Sequence, residues 1–181
     1  MSDEHPSPLP TALILDTSFL RTIGGTDTSQ YQTFIEYVKE QGVELYLTPG
    51  VVEELREQRG YLSIDWVDRA DTTPWITLID TVQLGVRVHD GPRAGEIMDR
   101  VHERLAEFEK TNPDELRKTD SELPAAAVML LGSTAHDTVG ILLDDRNAER
   151  AIAGVIGNTY YEGRVRFLRI WEIIEYIESN Y

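Results

Sequence analysis

The sequence contains no cysteine, only three lysines and no apolar run of the length that a membrane helix needs, about 20 residues. Without cysteine the chain forms neither disulfides nor thiolate metal sites, which favours a cytoplasmic protein. Residues 1–11 are acidic and proline-rich and lack the basic and apolar segments of a signal peptide. We therefore predict a flexible N-terminus, a cytoplasmic location and no membrane association.

Positive charge is also scarce, because 17 basic residues face 32 acidic ones and leave a formal net charge of -15. The lysines are Lys39, Lys110 and Lys118, and the other basic residues are arginines. Such a chain repels itself at low salt, whereas about 1 M salt shortens the Debye length to roughly 3 Å and screens the repulsion. This composition predicts a surface of the haloarchaeal type. An ordinary acidic protein with a basic partner is the alternative.

Short apolar runs alternate with segments of helical periodicity along the chain. Strands alternating with helices indicate a parallel sheet covered on both faces, so we predict an α/β protein with a three-layer α/β/α sandwich and a central, mainly parallel sheet. The predicted strands are Ala12–Asp16, Val43–Leu47, Trp75–Ile79, Val82–Val88, Val139–Leu143 and Val165–Leu168. The predicted helices are Ser29–Gln41, Val51–Gln58, Arg93–Lys110, Asp120–Leu131, Ala148–Ile156 and Ile170–Ile177.

Four segments that are far apart in sequence each carry an acid to the expected functional edge of this sheet. Asp16 ends the first strand, Glu54 lies in the helix after the second strand, Asp120 begins a later helix, and Asp144 and Asp145 follow another strand. The carboxyl ends of parallel strands meet at one edge, where ligands of such folds bind. Because clustered anions repel each other, a hard divalent cation with oxygen ligands is expected among them.

The chain resembles the PIN-domain family in four motifs that occur in the family's order. They are Leu13-Ile-Leu-Asp16-Thr17-Ser18, Thr48-Pro-Gly-Val-Val-Glu-Glu54-Leu55, Asp120-Ser-Glu-Leu-Pro-Ala-Ala-Ala127 and Ile141-Leu-Leu-Asp144-Asp145-Arg146-Asn147. The resemblance extends from about residue 12 to 175 and is to VapC-type or related archaeal PIN proteins. It implies one PIN-like domain over residues 12–181, with a family-variable insertion around 61–118.

The resemblance also implies a function, namely an endoribonuclease that uses one or two Mg²⁺ or Mn²⁺ ions. Asp16, Glu54, Asp120 and Asp145 match the family's catalytic and metal-binding acids, and Ser18 matches a supporting hydroxyl. Family members cut tRNA, rRNA or precursor RNA. Some are toxins held by an antitoxin protein, and a homodimer is a further expectation.

Some assignments stay open at the level of the sequence. Adjacent helical residues point about 100° apart, so Glu53 and Glu54 compete for one position, and the family match favours Glu54. Asp144 and Asp145 also compete; Asp145 is preferred, with Asp144 in a supporting role or capping the next helix. Asp16 could merely cap a turn, and Asp120 could be an N-cap alone.

Three arginines near these acids in sequence, Arg56, Arg146 and Arg150, are candidates for RNA phosphate contacts, because guanidinium suits bidentate phosphate binding. The alternative for each is a solvated helix face paired with acids.

Other functions of an acidic α/β edge fit the residues less well. A dinucleotide enzyme needs a glycine-rich turn after the first strand, and Asp16-Thr17-Ser18 offers none. A haloacid-dehalogenase-type phosphotransferase would have a second aspartate where Ser18 stands, and a receiver domain would need a late lysine, whereas Lys118 is the last. The remaining alternative is a catalytically inactive PIN-like module that binds RNA or a protein.

Overall fold

The structure, a computed structural model, describes residues 9–57, 66–67, 73–80, 93–133 and 136–180. The described strands are β1 (Ala12–Leu15), β2 (Glu44–Leu47), β3 (Ile76–Leu78), β4 (Val139–Leu142) and β5 (Val165–Leu168). The described helices are α1 (Thr17–Ile23), α2 (Ser29–Gln41), α3 (Pro49–Glu57), α4 (Ala94–Glu109), α5 (Thr119–Ser133), α6 (Arg146–Ile156) and α7 (Ile170–Asn180), with a 3₁₀ turn at Pro113–Glu115. The predicted strand Val82–Val88 lies outside the described residues.

The five described strands form one sheet in the order β3-β2-β1-β4-β5, and each neighbouring pair is parallel. The apolar sequence of β1 explains its central position, since all four of its side chains are fully buried. Strands buried on both faces are typical of parallel sheets. The predicted parallel sheet is confirmed.

Helices cover both faces of this sheet. From β1 to β3 the chain moves across the sheet in one direction, and from β3 to β5 it moves in the other, so right-handed crossovers place α1–α3 and α4–α6 on opposite sides. Helix α7 packs against α1 and α2, while α5 packs against β1 and β4. The predicted three-layer sandwich is confirmed.

The direction of the crossovers changes at β1, which pairs with β2 on one side and β4 on the other. Leu15 pairs with Leu142, and the N–H of Asp16 donates to the Leu142 carbonyl oxygen at 3.0 Å. The carboxyl ends of β1 and β4 are therefore adjacent. In open α/β sheets such a switch point is where ligands bind.

Helix α5 is the buried helix of the second layer, and it carries Asp120 to the same edge. Its inner residues from Leu123 to Val128 are buried, and the helix continues to Ser133 although Pro124 lies inside it. Proline has no N–H, so the carbonyl of Asp120 loses its regular helical donor at residue 124. Burial of the apolar helix outweighs this loss, and Asp120 stays in the first turn.

The structure differs from the sequence-based expectations in one helix and at several element ends. Helix α1 was not predicted at all, and α6 begins at Arg146 instead of Ala148. Leu9 and Pro10 are buried and lie before the predicted domain start at residue 12. The Thr11 carbonyl also accepts the N–H of Glu44 at 2.8 Å, which ties this segment to the sheet.

Candidate functional site

Asp16 is held rigidly at the end of β1. Its side chain is buried, caps α1, and accepts hydrogen bonds from the backbone N–H of Ser18 at 3.0 Å and from the Ser18 hydroxyl. The Ser18 hydroxyl oxygen in turn accepts the N–H of Asp144 at 3.2 Å. Ser18 thus links the first aspartate to the end of β4.

Glu54 reaches the start of α5 from α3. It is half-buried, and its carboxylate accepts the Thr119 hydroxyl at 2.8 Å, one residue before Asp120. Glu53 is exposed to solvent. The geometry therefore favours Glu54 of the two adjacent glutamates as the one that faces the other acids.

Asp120 is the acid on which the charges of the other acids act. Burial is the main reason that its pKa is raised to about 7, and the negative charges of Asp16, Asp145, Glu54 and Glu109 raise it further. An aspartate in water titrates near 3.9. The shift shows that four acids from separate elements lie close enough to destabilise the charge on Asp120.

The pKa of Asp16 is also raised, mainly by burial and in smaller part by the charge of Glu54. The hydroxyl and N–H groups that donate to it act in the opposite direction, because they stabilise the carboxylate. The effect of burial on the pKa is larger than that of these hydrogen bonds, so the negative charge of Asp16 is destabilised in the folded protein.

Asp145 caps α6 and also lies with Asp16, Glu54 and Asp120 at the carboxyl edge of the sheet, which we call the acidic edge. Its Oδ1 accepts the N–H groups of Asn147 and Ala148, at 2.7 and 3.0 Å, at the start of α6. Its charge also acts on Asp120. Asp144, also exposed, contributes its backbone N–H to Ser18. Of the two adjacent aspartates, the geometry favours Asp145 as the one whose charge meets Asp120.

The side chains as they stand do not form a ready metal cage. Within the described ranges, no three acidic or histidine side chains are arranged to enclose a metal ion. The donor chemistry does fit a hard divalent cation, because the converging groups are carboxylates and their mutual repulsion already opposes the charged form of Asp120. The groups that would hold the ion are Asp16, Asp120, Asp145 and Glu54.

The structure adds one acid that sequence reasoning missed. Glu122 is half-buried, and its carboxylate accepts the N–H of Gly50 at 2.6 Å in the first turn of α3. Burial raises the pKa of Glu122, and the Gly50 N–H opposes that shift. Together with the bond between Glu54 and Thr119, this contact fixes α3 against the start of α5.

Gly50 allows this close approach of the two helices. A Cβ at Gly50 would lie 2.8 Å from the Glu122 carboxylate and 3.0 Å from the Thr119 Cα. Gly50→Ala is therefore expected to push α3 away and to lower the free energy of unfolding by about 1–3 kcal/mol, as overpacking does. Denaturant unfolding in KCl measures this change.

The matched control is Gly95→Ala in α4, where a Cβ would meet nothing within 4 Å. There the better helix propensity of alanine is expected to leave stability unchanged or raise it by up to about 1 kcal/mol. Equal effects of the two substitutions would show that α3 and α5 are not held together at Gly50.

A groove of about 460 Å³ lies beside the acidic edge, between α3 and the start of α5. Arg117 and Lys118 line one part of it, and Arg117 pairs with Glu57 at 2.9 Å. The glutamates that line it are Glu53, Glu54, Glu57 and Glu122. The groove therefore carries both signs of charge next to the edge.

The three candidate phosphate-binding arginines are all exposed and lie in different surroundings. Arg56 lines a second groove on α3 together with Leu78 and Asp80. Arg146 is the first residue of α6, directly after Asp145. Arg150 lies one turn further along α6, with its guanidinium carbon 5.2 Å from the ring centre of Phe108.

The protein is a parallel α/β/α sandwich with acids gathered at its switch point, and the comparison with known families identifies its class. The chain belongs to the halobacterial PIN-domain family, whose model matches residues 9–181. The predicted PIN-domain resemblance is confirmed. The family's halobacterial character also agrees with the expected halophilic surface.

Other comparisons add little to this identification. No curated protein matches the chain. One solved structure, described as "Structure of FitAB bound to IR36 DNA fragment", is 12% identical and covers 88% of this chain and 95% of its own, with a TM-score of 0.46.

Membrane insertion has no support among the described helices. None of them combines the length and the apolar character needed to cross a bilayer.

Proposed function

We propose that this PIN domain is a divalent-metal-dependent endoribonuclease that hydrolyses RNA phosphodiester bonds at its acidic edge. The observation that carries the proposal is the meeting of acids from four elements, Asp16, Glu54, Asp120 and Asp145, at the adjacent carboxyl ends of β1 and β4. A bound Mg²⁺ or Mn²⁺ would supply a water-derived nucleophile and would neutralise charge on the phosphate. The compartment proposed for this activity is the cytoplasm.

The chain's own residues orient the site in this proposal. Ser18 holds Asp16 and the end of β4 together, and Thr119 holds Glu54. Asp145 uses Oδ1 for the helix cap, so its other oxygen is the one proposed to face the ion. Asp144 supports this arrangement through its backbone N–H.

The proposed substrate is tRNA, rRNA or precursor RNA, as the family resemblance implies. RNA that approaches a chain of net charge -15 meets general repulsion, so local arginines are needed for binding, and a bridging cation would strengthen it. An antitoxin protein and a second copy of this chain are the proposed protein partners.

Cleavage of a small-RNA pool in KCl with Mn²⁺ or Mg²⁺ tests the proposal, with wild type compared with Asp16→Asn. Asparagine caps a helix about as well as aspartate, so the variant keeps the start of α1 while losing the charge. We expect cleavage by the wild type and a loss of about a hundredfold or more in Asp16→Asn, since a metal contributes several kcal/mol to phosphoryl chemistry.

Glu53→Gln is the matched control, because it removes an exposed acid next to Glu54 and should leave the rate within about twofold, as expected of a surface charge. Equal cleavage by wild type and Asp16→Asn would contradict the proposal. No cleavage by the wild type with any metal would favour a PIN-like module that binds RNA or protein without cutting.

A further inference from the structure

Two arginines from different helices lie against one aromatic ring. The guanidinium carbon of Arg104 in α4 is 5.7 Å from the ring centre of Phe108, and that of Arg150 in α6 is 5.2 Å from it. Phe108 follows Arg104 by about one helical turn, and α4 packs against α6. We call this group the arginine–phenylalanine cluster, consisting of Arg104, Phe108 and Arg150.

Neither arginine of the cluster is neutralised within the described part of the chain. Arg117 and Arg169 each pair with a glutamate at 2.9 Å, whereas Arg104 and Arg150 form no ion pair there. Both are exposed, in a protein whose acids outnumber its bases by 32 to 17. Their N–H donors are therefore available to an anion from outside.

The packing around Arg104 gives its guanidinium a defined place. A Cβ at Gly154 of α6 would lie 2.7 Å from the Arg104 guanidinium carbon, so the missing side chain makes room for it. A groove of about 210 Å³ continues from there between the two helices, and Glu103 and Glu107 line it together with Arg100. These acids line the groove without pairing with Arg104.

The cluster is close to the acidic edge. Arg150 follows Asp145 by five residues, which is about 7.5 Å along a helix axis. Phe108 directly precedes Glu109, whose charge acts on Asp120. A strand that extends from the acidic edge along α6 would reach the cluster within about two helical turns.

We propose that the arginine–phenylalanine cluster binds the phosphate backbone of RNA beside the acidic edge, an inference that rests on the proposed function. A guanidinium that lies on a ring keeps its N–H edge free for bidentate phosphate contacts. The ring also restricts each arginine side chain before binding, so less conformational entropy is lost when phosphate binds. In a chain of this net charge, two unpaired guanidinium groups provide the local attraction that RNA requires.

RNA binding without cleavage tests the cluster directly, with fluorescence anisotropy of labelled total tRNA in EDTA over a series of KCl concentrations. Arg104→Gln/Arg150→Gln is expected to raise the dissociation constant roughly tenfold, as the loss of two charge-assisted phosphate contacts implies. The slope of log K against log [KCl] should become shallower by about 1.4–1.8, since each of two phosphates contributes about 0.7 in a single strand and about 0.9 in a duplex.

The matched control is Arg93→Gln, which removes the same charge 11 residues before Arg104, about 16.5 Å away along the axis of α4. Its dissociation constant should stay within about twofold of the wild type, as for a charge that contacts no phosphate. The single variants Arg104→Gln and Arg150→Gln are compared with it one charge at a time. Unchanged circular dichroism and melting temperature confirm that each variant folds.

Two further variants separate stacking from charge. Arg104→Lys/Arg150→Lys keeps both charges but loses the planar fork, so most of the salt dependence should remain while the affinity falls. Phe108→Leu keeps an apolar side chain, removes the ring, and should weaken binding as well. Full affinity in both variants would overturn the role of the stacked arginines.

The outcomes distinguish this inference from the proposed function. If the double glutamine variant binds tRNA as the wild type does, the inference is overturned, while cleavage by the wild type still supports the proposed function. The inference is also overturned if that variant still binds tRNA but no longer binds a copurifying protein or no longer dimerises. If the wild type cleaves nothing but the variant loses RNA binding, the proposed function fails and the RNA contact stands.

Discussion

Replacing Asp120 with asparagine is expected to abolish Mn²⁺-dependent RNA cleavage and, in the same protein, to raise the free energy of unfolding without metal. Burial is the main cause of the raised pKa of this carboxyl, and the charges of Asp16, Asp145 and Glu54 raise it further. The Asp120→Asn substitution would keep the shape of the side chain and remove the charge. Cleavage should fall by about a hundredfold or more if a cation depends on that charge.

The gain in stability should be about 1–3 kcal/mol above pH 7, after discounting the pKa shift for solvent and salt screening. Asp120 lies in the first turn of α5, where a negative charge gains about 0.3–1 kcal/mol from the helix dipole. The repulsion is the larger of the two effects, so the net change is stabilising. Denaturant unfolding in KCl with EDTA measures it.

The control for this pair of measurements is Glu53→Gln, which should change neither quantity appreciably. Opposite signs for activity and stability are typical of a functional charge kept at the expense of the fold. A loss of both activity and stability in Asp120→Asn would mean that Asp120 is mainly structural, and the account of the acidic edge would then be wrong.

The second large effect is the stabilisation of the fold by Mn²⁺, which should increase as the pH rises. The pKa of Asp120 is raised to about 7, so the proton stabilises the folded state below its unfolded pKa near 3.9, and this stability is lost as the pH rises through about 7. The pKa values of Asp16 and Glu122 are raised as well, which gives the same direction.

Melting temperatures in KCl should therefore fall between about pH 5 and pH 8 in EDTA, and Mn²⁺ should restore them at the higher pH. An ion present at 100 times its dissociation constant stabilises by about 2.7 kcal/mol. Asp120→Asn should flatten the pH dependence and lose most of the Mn²⁺ effect. A wild type that melts at the same temperature with and without Mn²⁺ at pH 8 would contradict this prediction.

The acids at the strand ends were predictable because their signal is local. The four-residue run Ala12–Leu15 before Asp16 and the run Val139–Leu142 shortly before Asp144 indicate buried strands. The carboxyl ends of parallel strands meet at one edge of the sheet. For this reason the sheet and its functional edge follow from the sequence alone.

Helix α1 was missed although its signals are present. Asp16 is its N-cap, and Phe19, Leu20 and Ile23 are buried on one face. With seven residues it is shorter than most helices, and a cap at Asp16 was weighed only for a turn, as the alternative to an active-site role. The same carboxylate caps the helix and also lies near Glu54 and Asp120, whereas sequence reasoning treated the cap and the site as alternatives and preferred the site.

The contacts that fix α3 against α5 could not be predicted. Glu122 and Gly50 are 72 residues apart, and their hydrogen bond depends on how two helices approach in space. The same packing separates Glu54 from Glu53, because rotation about the axis of α3 buries one and exposes the other. The arginine–phenylalanine cluster is also tertiary, since its two arginines come from different helices.

The central claim is that Asp16, Asp120 and Asp145, with Glu54, hold a divalent cation at the edge of the sheet. An anomalous difference map from crystals grown in high KCl and soaked in MnCl₂ tests it most directly. The account predicts a peak at this edge with carboxylate oxygens of these residues about 2.1 Å away, the distance expected of a hard cation. A map with no peak there, or with a peak only in the groove lined by Glu53 and Glu57, would contradict it.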